Sequence, residues 1–145
     1  MNALAVLPDL GLDLKKVPDL GDAATRARLS RPAIIAFFAL AEKWDVRNED
    51  AMALLGGISH GRYYELKKNY KGLLSQDELT RISLLIGIFK ALNILFSQKL
   101  ANQWATRPNS NVMFNNVAPL QVLLRGGVPA MIGVRRLLDS RRGGR

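Results

Sequence analysis

The stretch "ALLGGISHGRYYELKK", Ala53 to Lys68, sets two glycines between an apolar helical run and a run that mixes aromatic and basic residues. A chain that stops one helix, turns tightly and starts another needs a backbone that tolerates positive φ at the turn, which glycine supplies at least cost. The pattern predicts a helix-turn-helix. Gly57 is expected in the turn, Ala53 at the close crossing, Ile58 plugging the turn, and Tyr63 and Leu66 locking the second helix down. Ser59 is the expected N-cap of that helix. Its exposed remainder is what a duplex would meet. Ser59, His60 and Gly61 lie at the leading end, where base-edge contacts arise, followed by Arg62 and Tyr64. Lys67, Lys68 and Lys71 suit phosphate contacts, which set affinity and salt dependence rather than sequence preference. Glu65 is the misfit, expected either to accept from a cytosine amine or to pair with a neighbouring lysine. His60, the single histidine, reads as a polar contact before it reads as a pH-sensitive group.

Upstream, Ser30 is the expected N-cap of a helix with Pro32 in its first turn, where a missing N–H costs little. Ile34, Ile35, Phe38, Leu40, Ala41 and Trp44 follow at helical steps. "DVRNED", Asp45 to Asp50, closes it, with Asn48 as the next cap and Glu49 and Asp50 complementing the helix dipole. Met52, Leu54 and Leu55 give the inner face of that helix. Downstream, "SQDE" at Ser75–Glu78 is a capping box that opens one long helix from about Gln76 to Ala105. "TRPNSNVMFNN" breaks it. Pro119 starts a short helix that closes at Gly126-Gly127, and Pro129 begins a last one through Arg136 to about Ser140. No alternating apolar run is long enough for a strand. The fold class is all-α: a helix-turn-helix N-terminal domain joined by a long helix to a small helical C-terminal domain. The boundaries are 1–29 for an extension, 30–106 and 107–145. "LPDLG" at Leu7–Gly11 and "VPDLG" at Val17–Gly21 read as two Pro/Gly turns in the extension.

The long helix carries two apolar stripes, so it is either central to the fold or shared with another chain. Two-fold dimers read half-sites one helical turn apart. Ile86, Phe89, Asn93 and Phe96 are therefore the expected seam of a homodimer. Asn93 either fixes register across it, as a buried Asn does in coiled coils, or is satisfied within its own chain.

The 145 residues are 48% apolar, enough for a core, and carry a net charge of +9 with a pI near 10.4. The first 22 residues contribute −2 and the rest +11, which favours nucleic acid, an anionic membrane or an acidic protein face as partner. The absence of cysteine excludes disulfides and thiolate metal sites and fits a reducing cytoplasm. The N-terminus has no signal-peptide pattern. The most apolar run, Leu84–Phe96, is too short for the ~20 residues of a membrane span. One histidine, no Gly-rich phosphate loop and no metal-spaced cluster argue against an enzyme or a bound cofactor. In the C-terminal half, Val112, Met113, Phe114, Leu120, Leu123 and Leu124 exceed what so short a segment can bury alone. Its arginines suit bidentate pairing with carboxylates of a protein partner.

"FFALAEKWDV", "EDAMALLGGIS", "RYYELKK" and "LSQDELTRISLLIGIFKALNILF" together resemble the Xre-like antitoxin helix-turn-helix domain. "ANQWATRPNSNVMFNNVAPLQVLLRGGVPAMIGVRRLLDSRRGG" looks like the toxin-binding domain of the MbcA/ParS/Xre antitoxins. The resemblance implies an antitoxin of a bacterial type II module. It would block a RES-domain toxin that consumes NAD, and repress its own operon by binding promoter DNA. On that reading the toxin is met by Arg107, Asn109, Phe114, Leu120, Arg125, Arg135, Arg136, Asp139, Arg141 and Arg142. The last helix and "DSRRGGR" would lie across the toxin's entrance and exclude NAD, with Asp139 engaging a cation of that pocket. Where relatives tend to have a glycine-containing turn this chain has Asn115-Asn116-Val117, and asparagine tolerates left-handed backbone nearly as well. The alternative is a helix-turn-helix regulator without a toxin partner, its C-terminal half serving oligomerisation.

Overall fold

The structure, a computed structural model, describes residues 18–142. Among them are six α-helices: α1 (Ala23–Lys43), α2 (Asn48–Leu54), α3 (His60–Asn69), α4 (Gln76–Leu95), α5 (Gln98–Trp104) and α6 (Pro119–Arg142). No strand occurs among the described residues, so the expected all-α class holds. The first Pro/Gly repeat lies outside them. In the second, Asp19 Oδ1 accepts from the Gly21 N–H, and the chain turns into α1.

The first helix starts earlier than its sequence suggests. Asp22 is its cap, accepting from the Thr25 N–H at 3.1 Å. Ser30 sits inside the helix and is buried. Its hydroxyl donates to the Arg26 carbonyl at 2.6 Å and accepts from the Leu74 N–H at 2.9 Å, tying α1 to the segment that leads into α4. Pro32 is on the exposed face, where water can serve the carbonyl it leaves unbonded. Asp45 ends the helix at φ 54. Val46 N–H reaches the Ala41 carbonyl and Asp45 N–H the Glu42 carbonyl, the paired bonds of a Schellman motif.

The same motif explains the two glycines. Gly57 N–H bonds to the Met52 carbonyl and Gly56 N–H to the Ala53 carbonyl, with Gly56 at φ 100 and Gly57 at φ 78. Five residues, 55–59, separate α2 from α3, a longer connection than the three- or four-residue turn of a typical helix-turn-helix. The packing register moves accordingly. Ala51 is the fully buried small residue of α2, and Ala53 is exposed rather than at the crossing. A Cβ at Gly56 would also press on Asp77 Oδ2 at 3.1 Å and Arg81 Nε at 3.2 Å. Gly56→Ala is therefore expected to cost about 2 kcal/mol, and Gly57→Asn, in open space near the left-handed region, under about 1 kcal/mol. Urea unfolding of the two variants checks the difference.

α4 is the centre of the molecule. Its capping box is complete: Ser75 Oγ accepts from the Glu78 N–H, and Glu78 Oε1 from the Ser75 N–H. Leu79, Ile82, Leu84, Leu85, Ile86, Ile88, Phe89, Ala91 and Leu92 are all buried, because α1, α5 and α6 pack around the helix. The expected 30-residue helix is two. Phe96 is extended at φ −131 and ψ 163, and Ser97 accepts from the Leu100 N–H to cap α5. The asparagine-rich segment after α5 is an organised loop. Asn109 Oδ1 accepts from Asn111 N–H, Asn111 Oδ1 from Met113 N–H, and Asn116 N–H returns to the Asn109 carbonyl. Asn115 and Asn116 lie at φ 49 and 66, the left-handed turn that asparagine was expected to supply. α6 breaks at Gly127 (φ 62, ψ −144) into two limbs, as Gly126-Gly127 and Pro129 foretell. Met131, Val134 and Leu138 of the second limb join one core with α1 and α4. α6 also touches α2.

Candidate nucleic-acid interface

α3 is seated by aromatic and polar contacts on its inner side. Tyr63 and Leu66 are buried. The Tyr63 ring packs edge-on against Phe38 at 5.5 Å, and burial pushes its phenol pKa up. Its hydroxyl donates to Asn48 Oδ1 at 2.8 Å. The same oxygen accepts from Lys67 Nζ at 2.9 Å. Asn48 therefore does not cap α2, whose cap position is Arg47, with no side-chain bond to the helix's free N–H groups. It pins α3 to the start of α2 instead. At the far end, Tyr70 turns left-handed at φ 53, and Arg31 of α1 points at the Asn69 and Tyr70 carbonyls, 3.4 Å from each.

The opposite side of α3 is open. Ser59 caps it through the Arg62 N–H at 3.2 Å. Ser59, His60, Gly61 and Tyr64 are exposed around its leading end, with the His60 and Tyr64 rings 6.4 Å apart. Lys67 and Lys68 are exposed in its last turn and Lys71 just beyond its end. Glu65 accepts from Asn69 Nδ2 at 2.8 Å, so its partner is an amide and not the expected lysine. Arg62 stands apart from the other predicted DNA contacts. Its Nε donates to Glu78 Oε2 at 2.9 Å, and its Nη2 to Glu78 Oε1 at 2.7 Å and to the Leu73 carbonyl at 3.2 Å. Burial pushes the Glu78 carboxyl up, but the Arg62 hydrogen bonds and charge, with the Ser75 N–H, outweigh it and hold the pKa below its ordinary value. The hydrogen bond to Glu78 raises that of Arg62. This pair forms one wall of an open hollow of about 530 Å³ between the turn and the start of α4. Sequence reasoning missed the pair, although Ser59 and Arg62 repeat the spacing of Ser75 and Glu78.

Several residues expected at other surfaces lie inside. Ile86 and Phe89 are buried within the chain against its own helices, which removes them from a dimer seam. Asn93 is exposed, its Nδ2 donating to the Phe89 carbonyl at 2.9 Å, and Phe96 is half-buried. Among the residues expected to meet a toxin, Phe114 is buried edge-on against Trp104 at 5.5 Å. Leu120 is buried where its N–H bonds to the Ala105 carbonyl. Arg135 is buried over Gly87 of α4, so closely that a Cβ there would collide with the guanidinium, and it faces Asp139 at 3.5 Å. These three belong to the core because α5 and α6 close over it. Arg107, Arg125, Arg136, Asp139 and Arg141 are exposed and Asn109 half-buried. Arg142 is the last residue of α6. Leu100 of α5 and Val112 and Met113 of the following loop are apolar and exposed. Among the described residues no group of His, Cys, Asp and Glu could hold a metal, and no helix is long and apolar enough to cross a membrane.

Residues 21–87, which span α1 to the middle of α4, match the model of the antitoxin Xre-like helix-turn-helix domain. The chain is also 36% identical over 110 residues to the uncharacterized protein y4oB of Sinorhizobium fredii (strain NBRC 101917 / NGR234), an alignment that covers 75% of this chain and 83% of that protein. No solved structure matches it significantly. An Xre-like helix-turn-helix domain is a DNA-binding regulatory module, and α3 is the second helix of that motif here. The chain therefore belongs to one family with the y4oB protein, and its residues 21–87 form an antitoxin Xre-like helix-turn-helix domain.

Proposed function

We propose that the protein is the antitoxin of a type II module, with two tasks divided between residues 30–106 and 107–145. The first segment binds promoter DNA and represses the operon. The second binds and blocks a RES-domain toxin that consumes NAD. The observation that carries the DNA-binding task is the exposed leading end of α3, held from behind by Tyr63, Leu66 and Asn48. The blocking task is supported by the surface opposite in character. Arg107 and Leu100 border a hollow of about 210 Å³ with Trp104 and Pro108. Val112 and Met113 project nearby on a loop stapled by asparagines. The second limb of α6 carries Arg136, Asp139 and Arg141 outward toward the C-terminus. An arginine-rich rim around exposed apolar groups is what an acidic-rimmed protein pocket recognises.

The two tasks separate experimentally. Co-expression with the neighbouring reading frame is expected to restore growth and NAD level and to yield a co-purifying complex. Removing residues 140–145 is expected to restore toxicity by at least tenfold in surviving cells while the protein still binds its promoter. If the truncated chain suppresses toxicity fully and only promoter binding weakens, the C-terminal segment serves DNA and not the toxin.

A further inference from the structure

α3 and α4 begin alike. Each has a serine cap whose hydroxyl accepts from the N–H three residues on, Ser59 from Arg62 and Ser75 from Glu78. In α4 the third residue closes the box on its own cap, Glu78 Oε1 accepting from Ser75 N–H at 2.8 Å. In α3 the third residue is an arginine, which cannot accept. A cation in the first turn is also disfavoured by the helix dipole. Arg62 crosses instead to Glu78 and forms a two-pronged pair at 2.7 and 2.9 Å, with a third bond to the Leu73 carbonyl. The Glu78 side chain is 7% exposed and that of Arg62 37%. One carboxylate thus joins the caps of both helices. We propose that Arg62 is a positioning residue that locks the leading turn of α3 to the cap of α4 through Glu78, and so sets the angle at which α3 enters a DNA groove, rather than being itself a phosphate contact. This rests on the DNA-binding reading.

The geometry carries this assignment because a fork-shaped pair fixes direction as well as distance. The other braces of α3 act further along the helix: Asn48 holds Tyr63 and Lys67, and Arg31 lies at its far end. Glu78 is the side chain that reaches the first turn from α4. Without the pair, the leading turn keeps its serine cap but loses its anchor to the body, and His60 and Tyr64 shift against the bases. A shift of that kind weakens operator binding without removing any phosphate contact.

The test is promoter affinity by fluorescence anisotropy over a series of salt concentrations, with urea unfolding of each variant to choose a temperature where all are folded. Arg62→Met, Glu78→Gln and the double variant are each expected to bind roughly tenfold more weakly, the double no worse than the singles. The slope of log K against log salt stays as in the parent chain. Arg62→Lys, which keeps the charge and loses the fork, falls with Arg62→Met. The stability deficit of Arg62→Met closes as pH falls. Glu78 in the parent chain stabilises above the ordinary carboxylate range, and that contribution is lost on acidification through its lowered pKa, while the variant has less of it to lose. Two results overturn the proposal. In one, Arg62→Met lowers the salt slope by about one unit while Arg62→Lys and Glu78→Gln bind normally, which makes Arg62 a phosphate contact. In the other, the parent chain binds its promoter and every variant binds equally well. A parent chain that binds no promoter DNA removes the DNA-binding reading and this inference together.

Discussion

Ile86→Asp is expected to unfold the protein, abolishing promoter binding and toxin binding at once. Ile86 is fully buried on α4, with α1, α5 and α6 packed around that helix. An ionised carboxylate is costlier still to take out of water, and even a protonated one leaves a polar group buried at about 2–7 kcal/mol, in addition to about 2 kcal/mol of lost isoleucine burial. Domains of this size hold roughly 5–15 kcal/mol in total, so one substitution consumes most or all of it. Ile86→Val, which removes one methyl group, is expected to cost about 1 kcal/mol. Asn93→Ala, at an exposed position, stays within about 0.5 kcal/mol. Far-UV circular dichroism and thermal melting separate the three. A folded Ile86→Asp chain that sediments as a monomer would place Ile86 on a subunit interface and contradict its burial within the chain.

That case also marks how far the sequence alone reaches. Local rules fixed the parts that depend on neighbours in the chain. Ser59 and Ser75 cap the helices they precede, the asparagines of residues 109–116 make the loop and its left-handed turn, and Gly127 divides α6. Rules of this kind fail where a side chain has a choice of partners. Ser30 is as good a cap residue as Asp22, but Leu74, 44 positions away, offers it a buried N–H. Asn48 is as good a cap as Ser59, but Tyr63 and Lys67 claim its oxygen. Ser97 signals a new helix, and the apolar periodicity that runs across it hides the break. The stripe through Ile86 and Phe89 has the period of a dimer seam and of a central helix alike. Only the return of α6 onto α4 decides between them, and Arg135 over Gly87 is the contact that no local pattern announces. The exposed face of α3 was legible for the opposite reason: Tyr63 and Leu66 define its inside, and most of what is left faces out, with Arg62 turned back onto Glu78 as the exception.

Replacing Lys67, Lys68 and Lys71 with glutamine is expected to weaken promoter binding by about a hundredfold near physiological salt. Each lysine that neutralises a phosphate adds about 0.9 to the slope of log K against log salt, which at ~0.15 M is worth roughly fivefold per contact. The three positions are not equal. Lys68 and Lys71 are exposed, whereas Lys67 Nζ is held at 2.9 Å on Asn48 Oδ1 and lies 5.8 Å from the centre of the Tyr63 ring. Lys67→Gln alone should therefore lower the slope by less than Lys68→Gln, and cost some stability by releasing α3 from α2. Cognate and unrelated DNA should weaken together, because phosphate contacts carry no sequence information. His60→Ala and Tyr64→Ala should do the reverse, lowering the preference for the promoter while leaving the slope unchanged. A triple lysine variant that occupies its promoter as well as the parent chain at physiological salt would show that another surface carries the DNA.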